Sequence, residues 1–532
     1  MVQNSDPLRP PPHDWHFLRL SNMPAWNGGY ITEVNYTHGY YRELNPLWLK
    51  FVMAYAGYAF PDTGHACELG FGQGLSINIH ASASAWQWHG TDFNPAQVGF
   101  AHDLARRAGH TASLHDDSFE EFAARGDLPD FDFIALHGIW SWIRDESRHA
   151  ILDLIRRKLK VGGVVYISYN ALSGWAPMMP IRQLLAGHAL RSGGAALERA
   201  RQALDFCQRL VDSDPLYLRL APQTKERLAA MREQPMEYLL HEYFNRQWEP
   251  QSFCDFAGWM AKAKLDFACS ADAFDQVEAL HTTAEQQTVL GELADPILRQ
   301  DVRDLMLGRS FRKDCWIKGA RMLSAGERDR LIDSQRVILC TPRAHISMTV
   351  TGATREATMK DDVNRPLLDL LERHEPVSIG ELQSQLLPQG ISQAQVREAV
   401  LVLAGSGHLH PVQDGAEQAR QQAQALNRHI LDQGDNILQY LASPVTGGGI
   451  AVDHVSRLML AAAQASDKPE DWVDYAWQRL AASGQVLLKD GQTLPDEASN
   501  LAELRSLADS FQRERRPLLR ALGISTPGIS LI

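Results

Sequence analysis

A chain of 532 residues is too long for one compact core, and its length alone suggests about three or four domains. Its composition is that of an ordinary globular protein, and no apolar run approaches the ~18 residues needed to span a bilayer. A formal net charge of −12 argues against nucleic acid as a partner of the chain as a whole, although Arg355, Lys360 and Arg365 could form a local basic patch.

Asp6, His13 and the triplet Pro10-Pro11-Pro12 stand where a signal peptide needs an apolar stretch, so export is not expected. The six cysteines, Cys67, Cys207, Cys254, Cys269, Cys315 and Cys340, include no Cys-x-x-Cys pair. Such scatter suits reduced thiols in a cytoplasm, and neither a disulfide framework nor a metal site.

Residues 1–60 read as an N-terminal cap, with a tyrosine-rich helical stretch from Tyr30 to Tyr58. Residues 61–190 then alternate short apolar strands with helical patterns, as βαβ units do. Gly64–Leu69 reads as a strand, Leu75–Ala85 as a helix, Trp86–Phe93 as a strand and Pro95–Arg107 as a helix. Phe131–His137 is an apolar strand and Arg148–Leu159 a helix, followed by a turn at Val161-Gly162-Gly163 and the strand Val164–Ser168. A parallel sheet covered by helices on both faces is the economical solution.

Residues 191–340 are mostly amphipathic helix, broken by Pro215, Pro222, Pro235 and Pro250. In 341–415 a β-ribbon at His345–Met359 leads into helical segments at Val363–His374, Ile379–Leu387 and Gln393–Ser406, then the strand-like Gly407–Val412. That order reads as a winged helix, which serves protein contacts as well as DNA contacts. Residues 416–532 read as helical, with a loop at Pro444–Gly449.

The chemistry lies in Glu68-Leu69-Gly70-Phe71-Gly72-Gln73-Gly74, directly after the first strand. Glycines let the backbone turn sharply and approach a ligand that side chains would block. The loop opens a helix whose amides and dipole suit an anionic group. Asp92 closes the second strand, where a carboxylate can accept both hydroxyls of a ribose. Two cofactor classes fit. A dinucleotide wants G-x-G-x-x-G, whereas Leu75 stands here where the third glycine would be. Glu68 sits badly beside a pyrophosphate and well beside an ammonium group, so spacing leans towards S-adenosylmethionine without deciding it. A tight turn that binds nothing is the third possibility.

Glu68–Gly74 resembles motif I of the class I methyltransferases, Gly90–Pro95 resembles the acidic loop that follows it, and Asp117-Ser118-Phe119 resembles the segment bordering the adenine. Asp132–Trp142 (DFIALHGIWSW) and Val161–Trp175 (VGGVVYISYNALSGW) resemble the rickettsial-type protein lysine methyltransferases, and Glu237–Phe253 resembles the start of their methyltransferase regulatory domain. Asn427–Leu460 is more weakly similar to that family's C-terminal segment. Phe71 and Ser173-Gly174-Trp175 depart from the family's small residue and Pro-Gly-Trp.

The resemblance implies a Rossmann-like α/β methyltransferase domain followed by mostly helical domains, with S-adenosylmethionine as donor and S-adenosylhomocysteine as product. It implies that Glu68, Gly70, Phe71, Gly72, Gly74, Asp92, Phe93, Asp117, Ser118, Phe119 and His137 border the cofactor. Open α/β sheets place ligands beyond the carboxyl ends of their strands. His137, Trp140, Trp142, Tyr169 and Asn170 are therefore the candidates for positioning an acceptor, each with a purely structural alternative. Tyr30, Tyr36, Tyr40 and Tyr41 either close over the cofactor or, somewhat better, pack as a helix face. His241 and Glu242 lack the rest of an H-E-x-x-H motif and read as structural.

The resulting expectation is a protein methyltransferase acting on lysine, whose helical and winged-helix regions bind substrate or form a homodimer. The alternatives are a methyltransferase for a glycan or small metabolite, and a regulatory binding protein with a vestigial methyltransferase core.

Overall fold

The computed structural model describes residues 38–525. Tyr30 and Tyr36 lie outside them. Five strands, β1 (His65–Leu69), β2 (Gln87–Thr91), β3 (Ser113–His115), β4 (Phe131–Leu136) and β5 (Leu159–Asn170), run parallel. Two more, β6 (Leu265–Ser270) and β7 (Phe311–Lys318), complete a seven-stranded sheet in the order β3-β2-β1-β4-β5-β7-β6. β7 is antiparallel to both its neighbours.

The sheet is thus mixed rather than parallel, and residues 182–336 contain two strands where helix was expected. The reason is visible in β7 (FRKDCWIK), whose four charged residues hide the apolar alternation of a strand. Those charges are paired in place. Arg312 is held by Asp304 and Asp314, and Lys313 by Glu43 at 2.6 Å. Likewise Val161-Gly162-Gly163 is no turn between elements. It is an irregularity within β5, where the register with β4 shifts between Phe131 and Phe133.

Helices α1 (Pro46–Ala56), α2 (Leu75–Ala83), α3 (Pro95–Ala108), α4 (Phe119–Ala124) and α5 (Asp145–Lys158) flank the sheet, and α3 and α4 start where short polar residues stop β2 and β3. Asn94 caps α3, accepting from the Ala96 amide at 3.0 Å, with Pro95 in the first turn. Ser118 and Glu121 form a reciprocal capping box on α4. Such caps satisfy amides that the helix itself leaves without partners. They also fix Asp92, Phe93, Asp117 and Ser118 at one edge of the sheet.

Between β5 and β6 the chain forms a helical insert that includes Met179–Arg191, Ala196–Asp212, Pro222–Met231 and Met236–Tyr243. Beyond β7, helices Asp361–Leu371, Ile379–Leu386 and Gln393–Gly405 lead to the strand Leu409–Val412. That strand pairs with the upstream Arg336–Leu339, which also pairs with Val377–Ser378. The three helices and the ribbon Thr349–Thr351/Glu356–Thr358 lie where the sequence placed them. The sheet closing them uses an upstream strand in place of a following wing. The expected loop at Pro444–Gly449 is the turn of a hairpin, Tyr440–Ser443 with Gly448–Ala451.

The helix Ala416–Gln433 and this hairpin bury apolar side chains together with the outer faces of α2 and α3. Leu75, Ile79 and Leu104 share one core with Leu426, Ile430 and Leu441. The C-terminal region is therefore packed against the helix that follows the glycine loop. No described helix is long and apolar enough to cross a membrane.

Candidate functional site

The strand order reverses at β1, whose neighbours β2 and β4 lie on opposite sides. Loops leaving β1 and β4 diverge there and open a crevice. A cavity of about 750 Å3 occupies that place. Its walls include Glu68, Gly70, Phe71, Gly72, Gly74, Asp92, Phe93, Asp117, Ser118, Phe119 and His137, all of the residues expected along the cofactor.

Among the glycines, two serve packing and one serves the cavity. A Cβ on Gly70 would meet Ile139 at 2.4 Å, and one on Gly74 would meet Ala101 at 2.5 Å. A Cβ on Gly72 would meet nothing within 4 Å, and its φ of +58° is one that side-chain-bearing residues rarely adopt. Its amide donates to Asp92 Oδ2 at 2.8 Å, and the Asn94 amide donates to Oδ1 at 3.0 Å. The loop after β1 is thereby tied to the carboxylate after β2.

Glu68 is 4% exposed, and its Oε2 has no hydrogen-bond partner among the described residues. Burial, then the neighbouring Asp92, pushes its carboxyl up to about 8. Burial raises Asp92 to about 6, against its two amide donors. An orphaned buried carboxylate oxygen beside a second carboxylate, over an open glycine cradle, fits a ligand bearing an ammonium group and ribose hydroxyls. It does not fit a pyrophosphate.

His137 follows β4 and lines the cavity. Its Nδ1 lies 2.8 Å from Tyr166 Oη, its ring stacks on Tyr41 with centroids 3.7 Å apart, and Phe311 approaches edge-on. Burial holds the imidazole down at about 4. It is therefore neutral at pH 7.

Side chains alternate along a strand, and this separates the remaining candidates. Asn170 lines the cavity and is 5% exposed, and its Nδ2 has no partner among the described residues. Tyr169 lies on the opposite face of β5, stacked on Phe256 at 3.8 Å and donating to Asp314 Oδ2 at 3.0 Å. Tyr169 is thus a core residue and no part of the cavity wall. Trp142 lines the cavity, whereas Trp140 is fully buried behind it, donating from Nε1 to Gln251 Oε1 at 3.0 Å. A 3-10 turn over Trp140–Trp142 puts the two indoles on different sides.

The rest of the cavity wall draws on residues scattered through the chain. Trp175, Arg227, Tyr238, His241, Glu242, Asn245 and Phe311 all line it. The Arg227 guanidinium lies 3.7 Å from the Trp175 ring centroid, and Trp248 packs edge-on against that indole at 4.8 Å. His241 and Glu242, read from sequence as structural, belong to this wall. The spacing of Tyr238, His241, Glu242 and Asn245 is one helical face, which was the available signal. Nothing in sequence announced Arg227 or Phe311.

Residues 66–163 match the methyltransferase domain family, and residues 235–318 match the predicted methyltransferase regulatory domain. An uncharacterized protein of Synechocystis sp. is 38% identical over 511 residues, covering 94% of this chain and all of the relative. The chain belongs to the same family, the class I S-adenosylmethionine-dependent methyltransferases with a regulatory domain. This methyltransferase is also 24% identical to an uncharacterized protein of Rickettsia prowazekii, over 40% of its own length and 85% of that protein's. Its fold is that of PKMT2 from Rickettsia typhi in complex with AdoHcy, with a TM-score of 0.68 at 15% identity, covering 92% of this chain and 100% of that one. The regulatory-domain match spans helix Met236–Tyr243, β6 and β7. In this methyltransferase that domain supplies both the last strands of the catalytic sheet and part of the cavity wall.

Proposed function

We propose that the enzyme transfers the methyl group of S-adenosylmethionine to a lysine amine of a protein acceptor. One observation carries the reading. Trp142, Asn170 and Trp175 come from the two stretches, Asp132–Trp142 and Val161–Trp175, that resemble the rickettsial-type protein lysine methyltransferases, and all three line the one cavity, with Trp142 and Trp175 both packed on Trp248. Likeness in fold to PKMT2 from Rickettsia typhi supports the same class.

On this reading Glu68 holds the cofactor's ammonium group and Asp92 its ribose hydroxyls. Gly70, Gly72 and Gly74 let the backbone approach, with Phe71 and Phe93 flanking it, and Asp117, Ser118 and Phe119 border the adenine. Bound there, the cofactor supplies an electrophilic methyl group, and its removal requires a neutral nucleophile aligned with the breaking bond. The acceptor amine reaches that state as it leaves water for a wall of Trp142, Trp175, Tyr238 and Phe311, since desolvation disfavours the ammonium form. Neutral His137 adds no repelling charge, and the Asn170 side chain orients the acceptor.

Arg227 favours a second reading. A cation already lies over the Trp175 face, and a small acceptor bearing a carboxylate would pair with it. Tritiated methyl transfer into a fractionated host lysate tests both. Label in protein, recovered as methyllysine after hydrolysis, supports the lysine reading. Label confined to small molecules or glycan overturns it.

A further inference from the structure

Residues 39–45 form a strap that passes from the cavity wall to the C-terminal region. Tyr41 is extended (φ −125°, ψ 111°), so side chains beside it point in alternate directions. Inward, Tyr41 stacks on His137, its amide donates to Ser76 Oγ at 3.1 Å, and buried Glu43 accepts from Lys313. Outward, the strap is anchored on α2, on the end of helix Gln393–Gly405 and on the C-terminal hairpin. Tyr40 Oη lies 3.1 Å from His80 Nε2, and its ring lies 5.0 Å from that of Tyr440. Arg42 donates to the carbonyls of Ala404 and Gly405 at 3.1 and 2.9 Å, and Asn45 Nδ2 donates to the Thr446 carbonyl at 3.0 Å.

The hairpin turn is shaped to this strap. A Cβ on Gly449 would meet the Tyr40 ring at 2.9 Å, and one on Gly448 would meet Tyr40 Oη at 2.5 Å and Asn45 Nδ2 at 2.6 Å. Glycines are needed there for close approach. A methyl group at either position must move Tyr40, and with it the backbone that presents Tyr41.

We propose that the hairpin turn Ser443–Gly449 and the end of helix Gln393–Gly405 are positioning elements for the active site, setting His137 through Tyr41 and Glu43. The C-terminal region then has a role in catalysis by geometry, whatever else it binds. This rests on the reading of His137 as the wall beside the reacting centre.

His137 reports its own setting. Tyr41 and Glu43 face it from the strap, Tyr166 from β5, and Phe311 and Lys313 from β7. Protein carrying 13C-labelled histidine, assigned with His137→Gln, is titrated by NMR alongside tritiated methyl transfer into host lysate protein. In the wild type the His137 ring resonance stays still between pH 8 and 5. In Gly449→Ala it titrates within that range, and transfer falls on the order of tenfold with cofactor affinity unchanged. Tyr41→Ala gives the same shift. A Gly449→Ala protein that melts like the wild type and leaves His137 silent overturns the proposal. Should that variant not fold, Asn45→Ala, which deletes the bond to Thr446 together with the cap on the Leu47 amide, is read the same way. Transfer unchanged in His137→Gln, with the Gly449→Ala shift intact, refutes the role of His137 and leaves the mechanical link standing.

Discussion

Glu68 and Asp92, at the ends of adjacent strands, are two buried carboxylates that face one cavity, and burial followed by the charge of Asp92 makes Glu68 harder to ionise. Ionising both at once is unfavourable unless a cation lies beside them. With its carboxyl near 8, Glu68 is protonated at pH 7, and pairing with an ammonium group should ionise it. Calorimetry at pH 7 in buffers of different ionisation enthalpy should therefore show release of slightly under one proton per S-adenosylmethionine bound. Glu68→Gln should abolish the release. A wild-type value of zero would contradict the assignment of Glu68.

Gly72 is the glycine whose missing side chain leaves room for a ligand. Gly72→Arg should eliminate cofactor binding at a stability cost limited to about 1–2 kcal/mol from its left-handed backbone, since no neighbour is displaced. Asp92→Ala should weaken binding by about 1.5–3 kcal/mol, from the lost ribose partner and the loosened Gly72 amide. Wild-type affinity in either variant, measured by calorimetry, refutes the loop assignment.

Neighbours Tyr169 and Asn170 should respond in opposite ways. Tyr169→Phe removes the bond to Asp314 and should cost about 1–3 kcal/mol of stability in denaturant unfolding, with cofactor affinity unchanged. Asn170→Ala should leave stability nearly intact and lower kcat/KM for the acceptor on the order of tenfold. Swapped results would mean that the strand faces are assigned the wrong way round.

Acid should destabilise the protein early. Burial holds His80 and His410 down at about 3, and His89, His110 and His137 at about 4. Below the ordinary value of 6.5 the unfolded chain binds protons at these positions that the folded chain refuses. Each such proton removes up to ~1.4 kcal/mol of stability per pH unit as pH falls towards the folded value. Glu68, Asp92, Asp272 and Asp304, raised by folding, act in the opposite direction, but they are outnumbered, since burial also lowers His38, His115 and His408. Thermal melts should therefore show Tm falling as pH drops from 7 to 5. A flat or rising Tm would show that these histidines are not buried neutral.

Most of residues 65–170, though not β3, α4 or the start of β5, was legible because local rules coincide there. Apolar strands, the Asn94 cap and left-handed glycines each point to the same element boundaries. What escaped was set by partners far away in the chain. β7 carries charges that make sense only beside Asp304, Asp314 and Glu43. Trp140 and Tyr169 sat in promising motifs, but which face each presents depends on the turn geometry and on the alternation of β5.

The sequence by itself determined the methyl donor through the resemblance of its contiguous glycine loop and following acidic loop to those of the class I methyltransferases, where the spacing alone had left a dinucleotide open. Tertiary structure decided how the rest of the cavity is built. Its walls come from residues as distant as Tyr41, Trp142, Glu242 and Phe311, which share no local pattern and meet because the helical insert and β7 fold back onto the sheet. The same physics decided the place of the C-terminal region. A hairpin some 400 residues beyond the strap reaches it through Asn45 and Thr446, a contact that depends on packing against α2 and not on any sequence period.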